Sequence, residues 1–71
     1  MRVGDEVRYK LSWLAHIGAN LQGELARVHG VVLETTPGPD PRAVVFFDGG
    51  THAVRVPIRC LISLGRHPAW K

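Results

Sequence analysis

Cysteine is almost absent from this chain of 71 residues, since Cys60 is the single one. One cysteine cannot form a disulfide within the chain, so a disulfide framework is excluded as the source of stability. Its apolar neighbours in "IRCLIS" favour a small buried side chain over a nucleophile. A single unpaired cysteine also favours a reducing, intracellular setting.

Long apolar runs are lacking as well. No run approaches the roughly 18 residues of a membrane-spanning helix, and the opening "MRVGDEVRYK" is charged where a signal peptide is apolar. We therefore expect a cytoplasmic protein without a membrane partner. The excess of positive charge is small, with nine Lys and Arg against six Asp and Glu. Such an excess permits an anionic partner and does not require one.

Metal-binding and catalytic patterns are missing too. No two of the candidate soft ligands lie within four positions of each other, whereas zinc ligands usually come in close pairs; these candidates are His16, His29, His52, His67 and Cys60. No nucleophile elbow is present, and no helical pattern follows "DGG", as a phosphate loop would need. A chain this short also has no deep cleft of its own. We expect no metal, no cofactor and no enzymatic activity.

What the sequence does contain is a series of short β patterns separated by turn residues. Apolar and polar residues alternate in "EVRY" and "THAVRV", and β-branched residues dominate "RVHGVVLE" and "AVVFF". The predicted strands are residues 5–10, 26–34, 43–47, 51–56 and the segment "LISL". We expect a tight turn at Asp48-Gly49-Gly50, an exposed loop at "TTPGPDPR" and one helical turn at "PIRC".

One short helix is predicted after the first strand. Ser12 is a good N-cap, and Trp13, Leu14 and Ile17 recur at helical spacing, so the helix covers roughly Ser12 to Ile17. Six residues do not make a stable helix alone, so its Trp13/Ile17 face must dock on the sheet. Residues 19–25 are then expected to form a loop.

The packing expected from these elements is that of one mostly β domain, residues 1–65, with a tail at residues 66–71. Gly30 in mid-strand predicts a bend or bulge. Because alternate residues of a strand face opposite sides, the inner layer is either Val44 and Phe46 or Val45 and Phe47. In both cases Val54 and Val56 are expected to join that layer.

The motifs "VGDEVRY", "RVHGVVLE", "AVVFFDGG" and "VPIRCLISL" resemble those of SH3-like and KOW-type barrels. They are also similar to short phage and bacterial proteins with a "VGDxVRY" start, a "WL..IG" helix, a "GxV" strand and a "V.V.W.DG" hairpin. The resemblance covers about residues 3–64. It implies a small five-stranded SH3-like barrel with one short helix in the first long loop. KOW-type barrels use loops and one sheet face against RNA or a protein partner.

Two segments, "GDEVRYK" and "GTHAVRVPIRCLISL", also resemble strands of the type II dihydrofolate reductases. Those are SH3-like barrels whose tetramer encloses a shared pore. That family needs a Val-Gln-Ile-Tyr stretch, and the nearest match here is Val54-Arg55-Val56-Pro57. The amide, isoleucine and phenol that contact cofactor and substrate are missing, so the activity is not carried over.

Two functional hypotheses remain ahead of that enzyme. The first is a non-enzymatic, nucleic-acid- or transcription-associated module that binds phosphate through a basic face; its residues are Arg8, Lys10, Arg27, Arg55 and Arg59. The second is a protein-interaction or oligomerising module of phage or mobile-element origin, which uses an apolar outer face; its residues are Trp13, Phe47, Val31 and Leu33. An ordinary solvated surface explains the same charges equally well.

Overall fold

The computed structural model describes residues 1–68, which form five strands and three short helical segments. In chain order they are β1 (Asp5–Tyr9), α1 (Leu11–His16), α2 (Glu24–Arg27), β2 (His29–Thr36), β3 (Arg42–Phe47), β4 (Val54–Pro57), a 3₁₀ turn (Ile58–Cys60) and β5 (Leu61–Arg66). The mostly β class with five strands is thereby confirmed. The second helix, α2, replaces part of the predicted loop and the first residues of the predicted second strand.

All five strands belong to one antiparallel sheet with the order β4-β3-β2-β1-β5. Within residues 1–68 no ladder joins the edge strands β4 and β5, so the sheet is open. The predicted tail, residues 66–71, begins at Arg66, which is the last residue of β5. The next residue, His67, donates its backbone N–H to the Gly4 carbonyl at 2.9 Å. Residues 69–71 lie outside the described part of the chain.

The core lies on one side of the sheet. Seven of its residues are buried and form one cluster; they are Val7, Val32, Ala43, Val45, Val56, Cys60 and Leu61. Val45 is fully buried while Phe46 is 40% exposed, so the inner layer uses the Val45/Phe47 register. Val54 was expected in that layer, but it is the first residue of β4 and is exposed. Cys60 is buried as expected.

Gly30 and the bulge of β2 occupy different positions. The pairing of β2 with β3 shifts between Val32 and Glu34, so the extra residue is Leu33 and not Gly30. Gly30 is required by packing: a Cβ built there would lie 2.6 Å from Val45 Cγ1 and 2.9 Å from Phe47 Cδ1. The mid-strand glycine therefore marks a close approach of neighbouring side chains.

Helix α1 starts one residue before the predicted start. Lys10 is its N-cap and no side chain caps it, so the expected Ser12 cap is wrong. Leu14 is fully buried, whereas Ile17 is the C-cap residue and is exposed. Trp13 and Leu14 therefore form the docked side of α1. Ile17 lies beyond the last helical residue, His16, and does not contribute to that side.

The connection from β3 to β4 is longer than the predicted tight turn. Strand β4 pairs with β3 only as far as Val45 opposite Val54, which leaves residues 48–53 as a loop. The loop opens with a β-turn in which the Gly50 N–H donates to the Phe47 carbonyl at 3.0 Å. Gly49 has a φ of +78° in that turn, a conformation that glycine adopts without strain.

Candidate functional site

The side of the sheet opposite the core carries a mixed surface, which we call the outer face. Residues paired across antiparallel strands point to the same side. One row pairs Arg8 with His29 and with Ile62. The next row joins Glu6, Val31 and Phe46, and a third joins Glu34, Val44 and Arg55. These nine residues define the outer face.

An apolar strip runs through the middle of the outer face. It consists of Val31, Val44 and Phe46, which we call the central strip. Phe46 is 40% exposed and both valines are half-buried. Neither α1 nor α2 makes substantial contact with β3, so within the described part of the chain the strip is left open. An exposed aromatic side chain beside two valines is a surface suited to docking.

A histidine–carboxylate pair borders the central strip. His29 Nδ1 lies 2.8 Å from Glu6 Oε2, and both side chains are partly exposed. With a carboxylate as acceptor, Nδ1 is the donor, and this arrangement fixes the orientation of the ring. Glu6 is the cross-strand neighbour of Val31, so the pair forms a polar boundary of the strip.

Two of the predicted basic residues lie on the outer side of β1 and at its end. The Arg8 guanidinium donates to the Tyr9 carbonyl at 3.2 Å. Lys10 is exposed, and its backbone N–H donates to the Cys60 carbonyl at 2.9 Å. Both are thus presented at the same end of the sheet.

The other three predicted basic residues lie apart from that pair. Arg55 is exposed on β4, beside Val44. Arg59 in the 3₁₀ turn is bound to Asp40 at 3.0 Å. Arg27 ends α2. The structure therefore brings Arg8 and Lys10 together and does not gather all five cations on one face.

Arg27 lies at a shallow depression of about 460 Å³ between the α2 segment and the loop after β3. Its lining residues are Gln22, Gly23, Glu24, Arg27, Val28, His29 and Asp48. Two carboxylates line the depression beside one arginine. The local charge is therefore net negative, and the depression does not favour an anion.

The predicted protein-interaction residues divide into two groups. Trp13 and Phe47 are half-buried on either side of Tyr9, with ring centroids 5.2 and 5.0 Å from the tyrosine. This aromatic stack covers the core and leaves neither ring fully available. Val31 belongs to the central strip, and Leu33 is exposed at the β2 bulge.

Phe46, Val44 and Glu34 were missed as site residues by sequence reasoning. The signal was present for Phe46, because two adjacent phenylalanines in a strand must face opposite sides. What was lacking was the register that assigns one of them to the core. The pairing of Val45 with buried Val32 makes that assignment.

The surroundings of Tyr9 alter the ionisation of its side chain. Burial in the aromatic stack raises the pKa of the Tyr9 phenol above 10.0, and the nearby Cys60 adds to the rise. Residues 1–68 contain no cluster of three or more His, Cys, Asp or Glu that could hold a metal ion. No helix in this range is long and apolar enough to cross a membrane.

Comparison with known proteins adds no assignment. No protein family, no curated protein and no solved structure matches this chain. The outer face therefore has to be interpreted from its own chemistry.

Proposed function

We propose that this protein is a non-enzymatic module that docks another protein on its outer face. The observation that carries the proposal is the open central strip of Val31, Val44 and Phe46. Charged residues surround the strip, and an apolar centre with a polar rim is the usual anatomy of a protein–protein interface. Exposed aromatic residues are frequent among the residues that dominate binding energy.

Charge balance favours a protein over a nucleic acid as the partner. The outer face carries Arg8 and Arg55, and in the same rows or beside them it carries Glu6 and Glu34. Nucleic-acid affinity comes mainly from an excess of Lys and Arg against phosphates. The nine outer-face residues include two arginines and two glutamates, and Arg42 at the edge of the face shares Asp40 with Arg59, so the positive excess is small.

We further propose that the open sheet is the wall of an SH3-like barrel. The 3₁₀ turn carries the chain from edge strand β4 to the opposite edge strand β5. The Ile58 N–H donates to the Pro41 carbonyl, and the Cys60 carbonyl accepts from the Lys10 N–H, both at 2.9 Å. These bonds attach the turn to the start of β3 and to the end of β1, the strands that neighbour the two edges. The cytoplasmic setting stays a prediction.

A displayed library of random peptides tests the docking function without knowledge of the natural partner. Peptides are selected on the wild-type chain and their affinities are measured for Phe46→Thr, which keeps a good β-former while removing the ring. We expect enriched peptides to lose about tenfold or more in affinity, or about 1.4 kcal/mol, because the aromatic anchor is gone.

The matched control is Ile17→Thr, since Ile17 is also exposed but belongs to the end of α1. It is expected to leave peptide affinity unchanged, and circular dichroism shows that both variants fold. Enriched peptides that bind Phe46→Thr as well as wild type, or that lose affinity only for the control, would overturn the proposal.

Nucleic-acid association is the second candidate. It is favoured by Arg8 and Lys10, neither of which has a carboxylate within 4.0 Å among the described residues. Anisotropy of a labelled single-stranded oligonucleotide, measured at low and high salt, separates the candidates. Binding that falls steeply with salt and is lost in the double variant Arg8→Gln, Lys10→Gln would favour nucleic acid over protein.

A further inference from the structure

We propose that the partner on the outer face is a second copy of this chain, related by a twofold axis parallel to β3. The inference rests on the proposed docking function and adds the identity of the partner. It comes from the order of side chains in one row of the sheet. In that row Val44 on β3 is flanked by Glu34 on β2 and by Arg55 on β4.

This row is complementary to itself. Consider two copies whose outer faces oppose each other, with the twofold axis between them and parallel to β3. The rotation leaves each row at the same height along β3 and exchanges the β2 side of the row with the β4 side. Val44 then meets the second copy's Val44, and Phe46 meets the second copy's Phe46. Arg55 of each copy comes opposite Glu34 of the other, so one packing makes two identical ion pairs. Isologous contacts of this kind are the basis of most soluble dimers.

The neighbouring charges are compatible with that packing. Arg42 lies one step further along β3 on the same side as Val44, where it would meet its own copy near the axis. Asp40 lies 3.6 Å from Arg42 and 3.0 Å from Arg59, so it offsets part of the positive charge at this end of the interface. Glu6 lies on β1, outside the overlap of β2, β3 and β4, and His29 precedes the first β2 residue that is paired with β3.

The size of the molecule limits the strength of the dimer. A standard interface takes about 800 Å² from each partner, which is about a sixth of the 4823 Å² surface of this chain. The molecule measures 33 × 29 × 22 Å, so such an interface would occupy nearly one whole face. Because association costs translational and rotational freedom and the ordering of the Arg55 and Glu34 side chains, we expect a reversible dimer with about micromolar or weaker affinity.

Sedimentation velocity over a concentration series tests the pairing through a charge exchange. Arg55→Glu alone and Glu34→Arg alone each place like charges opposite each other at both ends of the row. Each is expected to weaken dimerisation by about tenfold or more. The double variant Arg55→Glu, Glu34→Arg restores opposite charges and is expected to return to within about threefold of wild type.

Arg27→Glu is the control, since Arg27 is exposed at the end of α2 and belongs to none of the outer-face rows. It is expected to leave the dimer unchanged. A wild-type chain that stays monomeric to millimolar concentration would overturn the second-copy proposal, as would a double variant no better than the single ones. Neither result depends on the peptide selection, so failure of self-docking and failure of the docking function are distinguishable.

Discussion

Gly30 is a residue at which the fold leaves no room for a side chain. A methyl group there would press on Val45 Cγ1 at 2.6 Å and on Phe47 Cδ1 at 2.9 Å. We predict that Gly30→Ala lowers the free energy of unfolding by about 1–3 kcal/mol, the usual range for overpacking. Urea unfolding followed by circular dichroism measures it.

A double-mutant cycle identifies the cause of that loss. Val45→Ala removes the nearest of the clashing atoms, so the cost of Gly30→Ala should be smaller in that background than in wild type. An equal cost in both backgrounds would show that the loss does not come from contact with Val45, which leaves the contacts with Phe47 Cδ1 and the Phe46 carbonyl oxygen.

Tyr9 gives a residue-scale prediction about pH. Because burial raises its pKa in the folded state above 10.0, the unfolded chain loses the phenolic proton first. The contribution to stability is therefore present below about pH 10 and is lost as pH rises through the folded-state pKa. Tyr9 is the single tyrosine, so tyrosinate absorbance reports it alone.

The expected titration midpoint is above 10.0, and Tyr9→Phe is expected to lose less stability between pH 9 and pH 11. The phenylalanine variant keeps the ring between Trp13 and Phe47 while removing the ionisable group. A midpoint at or below 10.0 would show that the ring is not buried in the aromatic stack.

At the scale of elements, helix α1 depends on its contact with the sheet. It has six residues and no side-chain cap, so it is not stable by itself. Trp13 attaches it by stacking on Tyr9 with an interplanar angle of 20°. We predict that Trp13→Ala costs about 1–3 kcal/mol of stability, below the range for a fully buried tryptophan.

Leu11→Ala is the comparison on the same helix. Leu11 is 46% exposed, so its truncation should cost about 0.5 kcal/mol or less. Thermal unfolding of the two variants measures the difference. Equal costs would mean that helix propensity, and not the aromatic stack, holds α1 in place.

The strands could be predicted from the sequence more reliably than their pairing. Alternation and β-branched residues were enough to indicate five strands, because those local preferences agree with the fold. They could not indicate that β3 pairs with β2 as far as Phe47 but with β4 only as far as Val45. Phe46 is therefore exposed, and residues 48–53 form a longer loop. Both registers of "AVVFF" place apolar residues on both faces, so only tertiary pairing decides between them.

The helical segments were harder to predict for the same reason. Four residues, Glu24–Arg27, form α2 where the sequence indicated the end of a loop and the start of a strand. Such a short helix has little intrinsic stability and is supported by its packing on β1. The local sequence alone does not indicate that packing.

At the scale of the whole molecule, the distribution of charge determines what the surface can bind. The sequence gives a net charge of +3 but does not show how the charges are arranged. Arg59 is compensated by Asp40, nineteen positions away in the chain. Arg8 and Arg55 share the outer face with Glu6 and Glu34. The outcome is a nearly neutral face around an apolar strip, which suits a protein partner.

Small size gives a second reason for association. A chain of 71 residues buries a smaller fraction of its surface than a larger domain does, and its core cluster has seven residues. Covering the central strip in a dimer would add burial that the single sheet cannot provide. The helical segments present a competing apolar surface, since Leu11, Ile17, Leu21 and Leu25 are all exposed.

Amide chemical shifts, recorded from dilute to millimolar protein, test the central claim most directly. If the outer face docks a second copy, the shifts that move with concentration belong to Glu34, Val44, Phe46 and Arg55 on β2, β3 and β4. Amides of α1 and α2 then stay unchanged. Concentration-dependent shifts confined to residues 11–25, with the sheet unaffected, would contradict the account and place the docking surface on the helical segments.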